Sequence, residues 1–211
     1  ATVRVYHESR LAPLHLPDDV DPELIDERAD EIMAGLDEAE QEKVRRATLA
    51  MNQLYGAPER LKKIAKDLVA HWEQRSAQMR PLIGGPGKAM VVCATRNICA
   101  RLYDEIVALR PDWHDDALDK GRIKVIYTGE PSETDEEVRK HVRRPSENKL
   151  IQRRAKDPDD PLEIIIVQSM LLTGFDSPAL HTMYMDRPMR GAALMQALAR
   201  VTRTYRAKPS G

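Results

Sequence analysis

The sequence predicts an α/β fold: a parallel sheet with flanking helices, preceded by a helical extension. Three observations carry this. Four short apolar runs of strand length, "KAMVVCAT", "RIKVIYTG", "LEIIIVQS" and "LHTMYMD", succeed one another from position 88 onward. Helix-like stretches separate most of them, and strands alternating with helices build parallel sheets with covered faces. "LEIIIVQS" is almost continuously apolar, as a strand buried on both faces must be.

Each element follows in order. Residues 1–17 read as an extended segment, from "TVRVYHE" to "LAPLHLP", whose prolines prevent a regular helix. Helical spacing then recurs in three sets: Ile25, Ala29, Ile32 and Met33; Val44, Ala47, Thr48, Met51 and Tyr55; Leu61, Ile64, Ala65, Leu68 and Trp72. Pro58 suits the first turn of the third helix. These stripes need a surface to cover, so the helices are expected to dock on the sheet. "RPLIGGPGK" breaks the pattern and leads, as a flexible hinge, into the first strand. Ile98, Leu102, Ile106 and Leu109 mark the next helix, stopped before Pro111. Residues 133–156 are polar and helical on both sides of Pro145, and "DPDDP" is a turn cluster. "GAALMQALARVTR" is the closing helix. The expected division is 1–80 for the extended and helical part and 81–211 for the sheet domain.

A chain of 211 residues holds one sizeable domain plus an extension, or two small domains. With 32% charged and 42% hydrophobic residues it reads as globular and soluble. No apolar run approaches the ~20 residues of a membrane helix, so no membrane partner is expected. No signal-peptide pattern opens the chain. Cys93 and Cys99 are not spaced as C-x-x-C and read as reduced thiols of a cytoplasmic protein. The histidines show no ligand spacing, so no metal site is expected. The start at Ala1, directly in a strand-like run, is expected of a piece of a longer polypeptide or equally of a processed or tagged chain.

Formal net charge is −1, too little for strong independent nucleic-acid binding. The charge is uneven. Acids dominate from Asp18 to Glu42, whereas from Arg187 onward there are basic residues and no acid. The basic tail is either a solvated surface or a local phosphate-facing patch.

"IGGPGKAMVVCATR" imitates a phosphate loop and fails as one. Around Gly87–Lys88 the pattern G-x-x-x-x-G-K-[ST] requires glycine at 82 and a hydroxyl at 89, where Leu82 and Ala89 stand. The loop also follows a helix and precedes a strand, the reverse of the order that aims helix amides at phosphates. Asp186, closing "TMYMD", imitates a magnesium-binding aspartate but is read as a cap or turn before Pro188. The closing helix is more informative. Gln196, Arg200 and Arg203 lie at i, i+4 and i+7, roughly opposite Leu194, Leu198 and Val201. Before it, "SMLLTGFDSP" places Gly174, able to take positive φ, and Asp176 beyond the third strand's carboxyl end, where ligands sit in open α/β sheets. A turn, a helix cap and a solvated face account for the same residues equally well at this point.

"TGFDSP" followed by "LMQALARVTR" resembles motifs V and VI of superfamily 2 helicases. More narrowly, "YHESRL", "GKAMVVCATRNICARLYDEIVALRPDW", "VIYTGE", "KDPDDPLEIIIVQSMLLTGFDSPALHTMYMDRPMRG" and "LMQALARVTR" are similar to the motor subunit of type I restriction enzymes. The resemblance implies a second RecA-like domain of a DNA translocase. Arg200 and Arg203 then match the arginines that reach the ATP γ-phosphate, and Gln196 the glutamine that opens that motif. Gly174 and Asp176 match the motif serving the ribose and γ-phosphate region. Thr95, Arg96, Thr128, Gly129 and Ser169 match backbone-contacting positions of the DNA track. Two departures stand out: Ala199 replaces the usual motif VI glycine, and Gln168–Ser169 stands where many relatives have Thr-Asp.

The implied cofactors are ATP and Mg2+, bound mainly by a first RecA-like domain that this chain lacks. The implied partners are double-stranded DNA, that first domain, and methylation and specificity subunits. The intact subunit is expected to act as an ATP-dependent type I site-specific deoxyribonuclease, with this piece inactive alone. Another superfamily 2 motor and a non-enzymatic RecA-like interaction module remain the alternatives.

Overall fold

A computed structural model describes residues 2–10, 37–129, 133–168, 171 and 174–211. The expected helix bearing Ile25, Ala29, Ile32 and Met33 lies outside them. Helix α1 spans Glu38–Tyr55. Asp37 starts it with a reciprocal cap: its carboxylate accepts from the Glu40 amide at 2.8 Å, and the Glu40 carboxylate accepts from the Asp37 amide at 3.3 Å. Helix α2 spans Pro58–Ile83. It does not stop at "RPLIGGPGK" but runs through Pro81. A proline in the last turn forfeits one helical hydrogen bond, and Gly84, at φ 71°, closes the helix by donating to the Arg80 carbonyl.

The remaining elements are β1 (Lys88–Cys93), α3 (Arg96–Leu109), a 3-10 turn (Pro111–Trp113), β2 (Ile123–Ile126), α4 (Glu136–Arg139), α5 (Pro145–Lys156), β3 (Ile164–Val167), β4 (Leu180–Asp186) and α6 (Gly191–Val201). The strands form one parallel sheet in the order β2-β3-β1-β4. All four expected strands are present. Ala89 pairs with Ile164, and Ile123 with the same Ile164 from the other side, so β3 is buried between neighbours as its apolar run requires.

Alternation along β1 sorts the core into two layers. Ala89, Val91 and Cys93 face α1, α2 and α3, packing with Met51, Leu68, Trp72 and Ile98. Met90 and Val92 face the other way, with Ile151 and Ala155 of α5 and Ala197 and Val201 of α6. The third expected stripe, Leu61 to Trp72, is buried throughout, and Trp72 is fully enclosed. Its indole donates to Glu163 at 2.9 Å, and Arg122 clasps the same carboxylate. The described part of the helical extension is therefore core, not tether.

The loop 84–87 is pinned and is no hinge. Ser76 donates to the Pro86 carbonyl at 2.9 Å. Gly87 has φ +75°, and a Cβ there would lie 2.3 Å from the His181 ring, so only glycine fits.

Candidate functional site

The structure separates the expected site residues into two groups at opposite ends of the sheet. At the carboxyl ends, β1 leads into Thr95 and Arg96, and β2 into Thr128 and Gly129. Thr95 is buried and starts α3: its hydroxyl accepts from the Ile98 amide at 3.2 Å and donates to Asn52. That hydroxyl is committed to the fold. Arg96 is the outward side chain. It donates to the Thr128 carbonyl at 3.2 Å and pairs with Glu133 at 3.3 Å, so it braces the β2 loop. Thr128 is exposed. Gly129 admits no side chain, because Val142 lies 2.6 Å from where its Cβ would stand. Ser169 lies outside the described residues.

Gly174, Asp176, Arg200 and Arg203 form the second group. Asp176 is not beyond the carboxyl end of β3, as the linear order suggests. The connection crosses the sheet before β4 begins. Next to Asp176, the Ser177 hydroxyl donates to Ala155 at the end of α5, and Phe175 lies under Lys156. Both anchors precede β3, so Asp176 sits toward the strands' amino ends. Gly174 takes φ +67° in open space. Arg200 donates to the Phe175 carbonyl at 2.8 Å, and Arg203 donates to the Asp176 carboxylate at 2.8 Å. The latter pair is half-exposed, at 47% and 51%.

Helix α6 ends at Val201, two residues short of Arg203. The Thr202 carbonyl is taken by the Val3 amide at 2.7 Å, and Thr2 and Arg203 form an antiparallel bridge. The extended N-terminal segment thus claims the backbone that would have continued the helix. Gln196 is exposed on α6, one turn before Arg200. Ala197 and Val201 are buried, whereas Leu194 and Leu198 are only partly covered.

The two imitations resolve physically. The Lys88 ammonium is buried against the carbonyls of Asp160 and Leu162, and burial lowers its pKa to about 8. Asp186 neither caps nor turns the chain: it forms a two-pronged ion pair with Arg60 of α2. Among the described residues, no three His, Cys, Asp or Glu side chains gather as metal ligands, and no helix is long and apolar enough to cross a membrane. Sequence reasoning missed Asn52 and Glu133, the partners of Thr95 and Arg96, since neither carries a motif.

A parallel sheet covered by helices, with Arg203 just after its last helix set against Asp176 before its last strand, makes this a RecA-like α/β domain. Residues 144–211 match the family model described as type I restriction enzyme subunit R domain 3. The chain is 42% identical over 176 residues to the type I restriction enzyme HindI endonuclease subunit of Haemophilus influenzae, covering 83% of this chain and 16% of that protein. It is 33% identical over 211 residues to the putative MjaIXP endonuclease subunit of Methanocaldococcus jannaschii, covering 99% of this chain and 18% of that protein. The chain belongs to the R-subunit family of type I restriction enzymes. It spans less than a fifth of the length of these curated relatives.

Proposed function

We propose that this chain is the second RecA-like half of an ATP-driven DNA translocase motor in a type I restriction endonuclease, assembled with methylation and specificity subunits. The observation that carries the reading is the meeting of Arg200 and Arg203 with the 175–176 loop. ATP with Mg2+, held mainly on a first motor domain, supplies the phosphoryl group. The residues here supply positioned positive charge. Asp176 holds one side of the Arg203 fork and leaves the half-exposed remainder to face phosphate oxygens. Arg200, fixed on the Phe175 carbonyl, sets the spacing of the second guanidinium. Gln196, exposed on α6 one turn before Arg200, adds an amide toward the same nucleotide in this reading.

At the opposite end, the exposure of Thr128 and the outward Arg96 beside it support contact with DNA phosphates, which position a duplex without reading its sequence. Nucleotide and DNA thus act on opposite ends of one sheet, and closure against the first domain moves the track as a unit. The test is Arg203→Lys in the assembled enzyme. Lysine keeps the charge and loses the fork, so ATP turnover falls at least roughly a hundredfold, a floor below the ~10³–10⁵ of arginine fingers. The thermal melt and DNA affinity stay near wild type. Turnover near wild type overturns the proposal.

A further inference from the structure

Lys208 is a buried cation that donates to three backbone carbonyls. Its ammonium lies 2.9 Å from the Leu180 oxygen, 3.0 Å from Val201 and 3.5 Å from Pro178. Three acceptors match the three donors of an ammonium. They come from two places: the entry to β4, at Pro178 and the strand's first residue Leu180, and the last residue of α6.

We infer that Lys208 is a positioning residue of this site, tying the loop that carries Asp176 to the helix end that carries Arg203. The inference rests on the ATP-site reading above. The arms of this tie are short. Asp176 precedes Pro178 by two residues, and Arg203 follows Val201 by two. The half-exposed Arg203–Asp176 pair is too weak to hold two backbone segments together on its own. A charge among carbonyl dipoles at a helix carboxyl end is strong enough. Lys208 is enclosed and its three donors are spent on carbonyls, so it acts through Arg203. Loss of the tie lets the guanidinium drift, and misplacement by about 1 Å costs on the order of a hundredfold in well-oriented sites.

The experiment is a double-mutant cycle in the full-length subunit within its assembled complex, read as DNA-stimulated ATP turnover. Lys208→Met is expected to lower turnover at saturating ATP by about tenfold or more, with KM for ATP and DNA affinity held within about twofold. In an Arg203→Ala background the same change has no further effect, because the residues act in series. An equal loss in both backgrounds, or none in either, overturns the inference. If the methionine variant does not fold, Lys208→Gln, which keeps an amide donor, enters the same cycle under the same criteria. Should Arg203→Lys turn over ATP normally, the ATP-site reading fails separately, and hydrogen exchange then decides on Lys208. Lost protection confined to residues 174–180 and 198–203 in the Lys208 variant supports the tie, and unchanged protection there refutes it.

Discussion

Neutralising Asp186 tests what that residue is for. Its carboxylate receives Arg60 Nη1 at 3.0 Å and Nη2 at 2.5 Å, and the two side chains are only 10% and 18% exposed. Asp186→Asn preserves shape, removes the charge and leaves one good acceptor. Breaking one side of a buried pair costs ~3–5 kcal/mol, and an exposed pair is worth ~0–1. Arg60 keeps its bond to the Tyr55 carbonyl at 2.9 Å and its stacking on that ring. The expected loss is therefore about 2–3 kcal/mol, a fall in Tm of roughly 5–10 °C for a chain of this size. Urea unfolding followed by circular dichroism measures it, and Arg60→Met in a double-mutant cycle isolates the pair. A loss below about 0.5 kcal/mol, or the same loss with Arg60 already gone, refutes the reasoning. An aspartate reserved for magnesium would give the opposite sign, since relieving an unpaired charge leaves stability unchanged or raised.

Gly87→Ala should destabilise the chain by at least about 2 kcal/mol in the same assay, because positive φ and the His181 ring both oppose a methyl group. Stability should also fall with acid in a defined window. Burial first, then Arg75 and Arg143 respectively, lowers the pKa of His181 to about 3 and of His141 to about 4. Both lie below the unfolded value near 6.5, so below that pH the unfolded chain takes up protons that the folded one refuses. Two such groups imply a loss of about 2.5 kcal/mol between pH 7 and 5.5. His141→Phe should remove about half of that pH dependence, read as the urea midpoint against pH.

The strands were legible because each is a short apolar run between polar stretches, and a buried parallel sheet leaves that trace. Helix α2 was legible from Leu61 to Trp72 but not at its end: Pro81 argues for a stop, and the burial of Met79 and Ile83 overrides it. The closing helix is two residues shorter than its sequence pattern suggests. Its end depends on Val3 accepting no helical role and donating instead to Thr202, a partner far away in sequence. Distance along the chain also hid the meaning of Asp186 and Lys88. Arg60 lies 126 positions from Asp186, and no local pattern announces that a lysine's ammonium will end among carbonyls. Within the candidate site, the sequence names candidate residues by motif, and only the structure divides them between two ends of the sheet.

The pairing of residues 2–6 with 202–211 has a kinetic consequence. Val3 bonds Thr202, Tyr6 bonds Gly211, and Gly211 bonds Arg4, across nearly the whole length of the chain. Closing a loop of about 200 residues costs on the order of 5 kcal/mol in chain entropy before any contact repays it. So short a ladder recovers that cost only once the sheet and helices have shortened the path. Among the described residues it is therefore expected to close late during folding and to open early afterwards. Arg203 is bridged directly to it, so its backbone lies between this early-opening ladder and the Lys208 tie at Val201.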